Sequence, residues 1–205
     1  MPSASAVPMS SLAIALGANL GDPAATLVAV RPLLSEAVGA WLAHGEGPAD
    51  GAWPLRQHWS PLFMTAPVGG PPGQPKYLNA VLLLERDAAV PDLPPWPAPE
   101  ALLGRLLELE RRFGRERRER WGPRSLDLDL LWCGGLCCRS PELVLPHPRL
   151  GERTFVLAPL AAIDPHRPLP GEDVSVAERL AALLARPGEI PPERLPGRAG
   201  WPEGP

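Results

Sequence analysis

Apolar residues along the chain change their period in blocks, and each block predicts an element. Residues 12–16, LAIAL, form a continuous apolar run that leaves through GANLGD, the pattern of a buried strand ending in a tight turn. From Asp22 the spacing becomes helical: Leu27, Val30, Leu34 and Val38 make one stripe, with Asp22 as N-cap and Pro23 at the first helical position. Two strand-like runs follow, HWSPLFMTAPV at 58–68 and YLNAVLLLE at 77–85, separated by chain rich in Gly and Pro. Pro99 and Glu100 open a second helix whose apolar face is Leu102, Leu103, Leu106, Leu107 and Leu109, with Gly114 placed to close it. SLDLDLLW at 125–132 reads as a last strong strand, and further helices are expected near 152–163 and 175–186.

The order β-α-β-β-α-β predicts an α+β fold with a ferredoxin-like core, an antiparallel sheet with helices packed on one face. No internal repeat is visible. With 205 residues, 45% hydrophobic and 21% charged, the chain fits one domain, expected over 1–165, with 166–205 as a C-terminal helix and Pro-rich tail on or trailing from it. The 30 prolines and 20 glycines concentrate around 45–54, 66–75, 91–99 and 186–205, which marks loops and makes the last stretch an irregular strap or disordered. The first ten residues have no basic and apolar leader pattern, and no apolar run approaches the ~20 residues that span a bilayer, so a cytoplasmic protein without membrane contact is expected. Cys133, Cys137 and Cys138 lack the paired spacing of a zinc site and read as reduced thiols.

The net charge of −3 gives the surface no general attraction for polyanions, so any phosphate affinity has to come from local clusters. Lys76 is the only lysine, which argues against a phosphate loop ending in Lys and leaves that role to arginine. RERRERWGPRSLDLDLL runs an arginine-rich stretch directly into a strand with two aspartates two positions apart. Strand geometry turns Asp127 and Asp129 to one face, their Cα atoms ~6.5–7 Å apart, and Leu126, Leu128 and Leu130 to the core. Two converging carboxylates suit Mg²⁺, which takes one or two of them and completes its shell with water and substrate phosphate. Arg115, Arg117, Arg118, Arg120 and Arg124 set positive charge beside the pair, as expected where polyphosphate bridges metal and guanidinium groups.

RWGPRSLDLDLL resembles the signature of the 6-hydroxymethyl-7,8-dihydropterin pyrophosphokinases. ALGANLGD, TAPVG, YLNAVLLLE, ELERRFGRER and LPHPRLGERTFVLAPL agree in order, so the resemblance covers residues 12–165. It implies transfer of diphosphate from ATP to the hydroxymethyl group of a reduced pterin, in folate biosynthesis, with two Mg²⁺ ions on Asp127 and Asp129. It further implies that Arg115 and Arg117 engage phosphates and help close the site, and that Arg124 lies near the reacting diphosphate. Glu110, Arg120, Trp121, His147 and Arg153 match the nucleotide side; Thr65, Pro67, Val68, Tyr77, Asn79 and Phe155 match the pterin pocket. The partners implied are small molecules, with no nucleic acid, and the chain is expected to be a monomer or weak dimer. Ala66, Pro148 and extra residues around 43–57 and 86–99 depart from the family pattern.

The pterin positions also make chemical sense on their own. Flat bicycles are held by aromatic rings, and Tyr77 is the only tyrosine and Phe155 one of three phenylalanines. Asn79 offers both a donor and an acceptor for an amino-pyrimidinone edge. His147, between prolines, reads as a hydrogen-bonding anchor rather than a base, and Gly17, Asn19 and Gly21 read as the turn after the first strand. Two rivals remain at this point. One is an RNA-binding module of the same element order, against which the first strand offers no aromatic to stack a base. The other is a different Mg²⁺-dependent phosphotransferase or nuclease using the same acids.

Overall fold

The computed structural model describes residues 11–45, 53–86, 93–115 and 122–202. Along the chain run β1 (Ser11–Ala18), α1 (Pro23–Leu42), β2 (Leu55–Trp59), β3 (Phe63–Thr65), β4 (Tyr77–Arg86) and α2 (Pro99–Arg112). They are followed by β5 (Asp127–Cys133), the small pair β6 (Cys138–Arg139) and β7 (Val144–Leu145), a 3₁₀ turn at Leu150–Glu152, α3 (Thr154–Ala161), α4 (Val176–Leu184) and β8 (Glu193–Arg194). The main sheet has the order β5-β1-β4-β3-β8, with β2 also pairing β4, and its pairings are antiparallel. This is the expected ferredoxin-like core with β1 and β4 at its centre.

The expected helix starts are present. Asp22 accepts a hydrogen bond from the Ala25 N–H at 3.0 Å and Pro23 opens α1; Gly114, at φ +75°, ends the α2 turn. Ser175 and Glu178 close a reciprocal capping box on α4.

Three expectations are corrected. Helices cover both faces of the sheet rather than one. Leu12, Ile14, Leu16, Leu82 and Leu84 pack with α1 and α2, while Ala13, Ala15, Val81, Leu83 and Leu131 pack with α3 and α4. The reason lies in β1 and β4, which are apolar on both faces and so need cover on both. Second, the run 58–68 is two strands. Pro61 has no N–H to donate to the ladder, and at the break Ser60 takes over: its N–H reaches Val81 O and its Oγ accepts from Val81 N–H, each at 2.9 Å. Third, α1 is long and apolar enough to cross a membrane, with 20 residues and a mean hydropathy of 1.3 over its best window. Its fully buried stripe, Leu27, Val30 and Leu34, is nevertheless spent on the sheet, as in the core helix of a globular domain.

The Pro-rich tail is an ordered strap along the sheet edge. In β8, Arg194 pairs with Phe63 and Glu193 with Met64, and Leu195 N–H reaches Leu62 O at 2.9 Å. Trp201 ends it, buried edge-on against Trp59 with its indole N–H on Ser60 O at 2.9 Å.

Candidate active site

Sheet register brings the chemistry together. Gly17 in β1 stands opposite Asn79 of β4 on one side and Asp127 of β5 on the other; Ala15 stands between Val81 and Asp129. Phe63 and Thr65 of β3 extend the rows beyond Asn79 and Tyr77. Because β1 contributes only Gly17 and Ala15 to this part of the face, a hollow remains beyond the end of α3. A Cβ on Gly17 would lie 3.1 Å from Asn79 Oδ1, so a side chain there would press on Asn79.

The walls of this pocket include Thr65, Pro67, Val68, Tyr77 and Asn79 from the middle of the chain and Phe155 from α3. Arg124, Asp127, Asp129 and Arg153 line the same pocket. Glu110 and Arg115 lie behind the acidic pair, and His147 stands outside the lining. Arg117, Arg118, Arg120 and Trp121 lie outside the described residues. Three contributors are not apparent as such from the sequence. Gly17 and Ala15 form the floor, Gly17 being a strand residue rather than part of the turn, and Arg149 joins the lining.

Asn19, 2% exposed, ties the site's loops to the end of β1. Its Oδ1 accepts from Arg124 N–H at 2.7 Å, its Nδ2 donates to Pro75 O at 3.1 Å, and its own N–H reaches Arg124 O at 2.9 Å. The turn itself falls to Gly21, at φ +65°. Tyr77 Oη donates to Gly122 O at 3.1 Å, and burial raises its pKa, so the phenol keeps its proton. Asn79 Nδ2 donates to Thr65 Oγ1 at 2.8 Å.

Three acids and three arginines form ion pairs in and behind the pocket lining. Arg124 pairs with Asp127 Oδ2, Arg115 reaches Asp127 Oδ1 at 2.8 Å and also pairs with Glu110, and Arg153 donates to Asp129 Oδ2 at 3.0 Å. Glu110 Oε1 also accepts from Leu128 N–H at 2.8 Å, which anchors α2 to β5. Burial, followed by repulsion from Asp129, raises the Asp127 pKa against the pull of Arg124 and Arg115. Burial likewise raises Glu110, opposed by the Leu128 N–H and Arg115.

Asp127 Oδ1 is buried and makes no hydrogen bond, its Arg115 contact being an ion pair only. Among the described residues no three His, Cys, Asp or Glu side chains cluster as a complete metal cage. A carboxylate pair with no third protein ligand among the described residues fits Mg²⁺ shared with substrate phosphate, and fits zinc or calcium poorly.

His147 is held by its N–H on Leu131 O at 2.7 Å, and its Nδ1 accepts from Arg149 N–H at 3.1 Å, so the neutral ring carries its proton on Nε2. Burial lowers its pKa below the ordinary value, Asp129 opposing. The unfolded chain therefore binds this proton more readily than the folded one, and the stability that the neutral ring confers is present above pH ~6.5 and lost as pH falls below it. Tm should drop between pH 7.5 and 5.5, and drop less in His147→Asn, whose carbonyl can take the Arg149 N–H. Identical pH slopes in calorimetry would remove His147 from this role.

Known proteins resemble this chain in sequence and in fold. The family model described as 7,8-dihydro-6-hydroxymethylpterin-pyrophosphokinase (HPPK) matches residues 13–165. A Synechocystis 2-amino-4-hydroxy-6-hydroxymethyldihydropteridine pyrophosphokinase is 44% identical over 96 residues, which cover 47% of this chain and 44% of that protein. The Pseudomonas aeruginosa protein of the same name is 39% identical over 138 residues, covering 67% of this chain and 76% of that one. Among solved structures, the crystal structure of an HPPK-DHPS in complex with substrates shares the fold, with TM-score 0.56 and 10% identity over 86% of this chain and 44% of the longer one. With a matching span that holds the acidic pair, the arginines and the pocket walls alike, the chain belongs to the 7,8-dihydro-6-hydroxymethylpterin-pyrophosphokinase family.

Proposed function

We propose that this chain transfers the diphosphate of ATP to the hydroxymethyl group of 6-hydroxymethyl-7,8-dihydropterin, releasing AMP, as a step of folate biosynthesis. The observation that carries this reading is one pocket lined both by aromatic and amide side chains and by an acidic pair with its arginines. Tyr77 and Phe155 offer ring faces to the pterin, while Asn79 and the backbone of 65–68 offer donors and acceptors to its edge. Asp127 and Asp129 would hold two Mg²⁺ ions, whose chemistry here is to neutralise the triphosphate and the charge that develops in transfer.

The hydroxymethyl oxygen forms a bond to the β-phosphorus as its proton passes to water, and the bond from that phosphorus to the α–β bridging oxygen breaks, AMP leaving with the electron pair. No nucleophilic side chain is needed, because alignment and charge neutralisation dominate such transfers. Arg124 and Arg153, already aimed at the carboxylates, bring guanidinium groups to where phosphate oxygens would bridge, and Arg115 lies one step behind. Glu110 and His147 serve the nucleotide side through Arg115 and Arg149 rather than by lining the pocket. The catalytic machinery falls within 1–165, with 166–205 completing the same domain, in a cytoplasmic protein that acts as a monomer or weak dimer on small molecules. The sheet face that an RNA-binding module would present is covered here by α3 and α4, which disfavours that rival.

AMP release from ATP and Mg²⁺ should depend on added 6-hydroxymethyl-7,8-dihydropterin, one AMP per diphosphorylated pterin by chromatography. ADP formation indifferent to the pterin would overturn the reading.

A further inference from the structure

The C-terminal strap lines no part of the pocket, yet it braces the pocket from two sides. Gly188, at φ +83°, turns the chain after α4, and the next residue, Glu189, accepts a hydrogen bond from Thr154 Oγ1 at 2.7 Å. Thr154 is buried and is the first residue of α3, a helix with no side-chain cap at its N-terminus. Its neighbours in sequence, Arg153 and Phe155, are the two residues that enter the pocket here, and Arg153 stands over the Phe155 ring, 5.4 Å from its centre. Farther along, β8 pairs with Phe63 and Met64, directly before Thr65 on the opposite wall.

We propose that Glu189 is a positioning residue for the pterin pocket, fixing through Thr154 the first turn of α3 and with it the placement of Phe155. With eight residues, α3 is too short to hold its own first turn, and a carboxylate beside that turn also meets the positive end of the helix dipole. Glu189 itself is exposed, so its hydrogen bond does little for the core and much for one local orientation. This role rests on the pterin reading above.

In the full-length protein, Glu189→Ala should raise KM for 6-hydroxymethyl-7,8-dihydropterin about fivefold, with kcat and KM for ATP within about twofold of wild type. Glu189→Gln, whose carbonyl can still accept from Thr154, should restore KM. Thr154→Val should reproduce Glu189→Ala, and the double variant should be no worse than either single one. Unchanged KM in Glu189→Ala, or kcat and both KM values worsening together with a lowered Tm, overturns the positioning role. Wild-type protein that binds no pterin in a parallel equilibrium titration overturns the pterin reading itself. Wild-type binding with an unaltered Glu189→Ala variant overturns only this inference.

Discussion

Asp129→Ala should abolish turnover, lowering kcat by on the order of 10³ or more, because one of two carboxylates offered to the metal is lost where transition-state charge must be neutralised. Asp129 is the cleaner of the two acids to remove. Among the described residues its one ion pair is with Arg153, whereas Asp127 engages both Arg115 and Arg124, so deleting Asp127 would also leave two guanidinium groups facing each other. Pterin affinity should largely survive, since Tyr77, Asn79 and Thr65 are held by hydrogen bonds that do not involve Asp129. Kinetics in saturating Mg²⁺ with a separate pterin titration checks both halves. Near-normal kcat would sink the metal assignment.

The second large effect is expected in stability. Glu110 is 2% exposed, and its carboxylate serves the Leu128 N–H and Arg115 at once. Glu110→Ala leaves a buried N–H without its acceptor and a half-buried guanidinium with only Asp127, which should cost about 3–5 kcal/mol. For a chain of this size that corresponds to a Tm lower by on the order of 10 °C. Glu110→Gln keeps an acceptor for Leu128 and should lose much less. Melting of Glu110→Ala within ~2 °C of wild type would show that the contact adds little.

Local elements were legible because their signals are local. Asp22 and Pro23 announce α1, Gly114 ends α2, and the alternation in LDLDL turns the acids away from the core. What escaped depends on pairing between distant segments. The floor of Gly17 and Ala15 follows from β1 lying between β4 and β5, and nothing in GANLGD itself says that Asn19 will hold Pro75 and Arg124. The two-sided cover of the sheet had a signal in the unbroken apolar runs LAIAL and AVLLL, but element order suggested one covered face. The break at Ser60 and Pro61 was marked by the proline alone. The acidic pair with Arg124 and the residues proposed for the pterin wall are legible in the sequence motifs, and the structure gathers them around one pocket. Glu110 and His147 prove to stand one step back from it. The docked strap could not be read from composition, since a Pro-rich tail looks the same bound or loose until Trp201 finds Ser60.

One consequence concerns Cys133, the last residue of β5. It is fully buried beneath α1 and α2, and burial pushes its thiol up to about 12, while Cys137 is exposed and Cys138 half-buried. A thiol-reactive dye should therefore label the outer cysteines first and reach Cys133 only when the strand carrying Asp127 and Asp129 opens. The lag of that third label is a built-in clock for the opening of the acid-bearing strand, readable with and without nucleotide and needing no engineered probe.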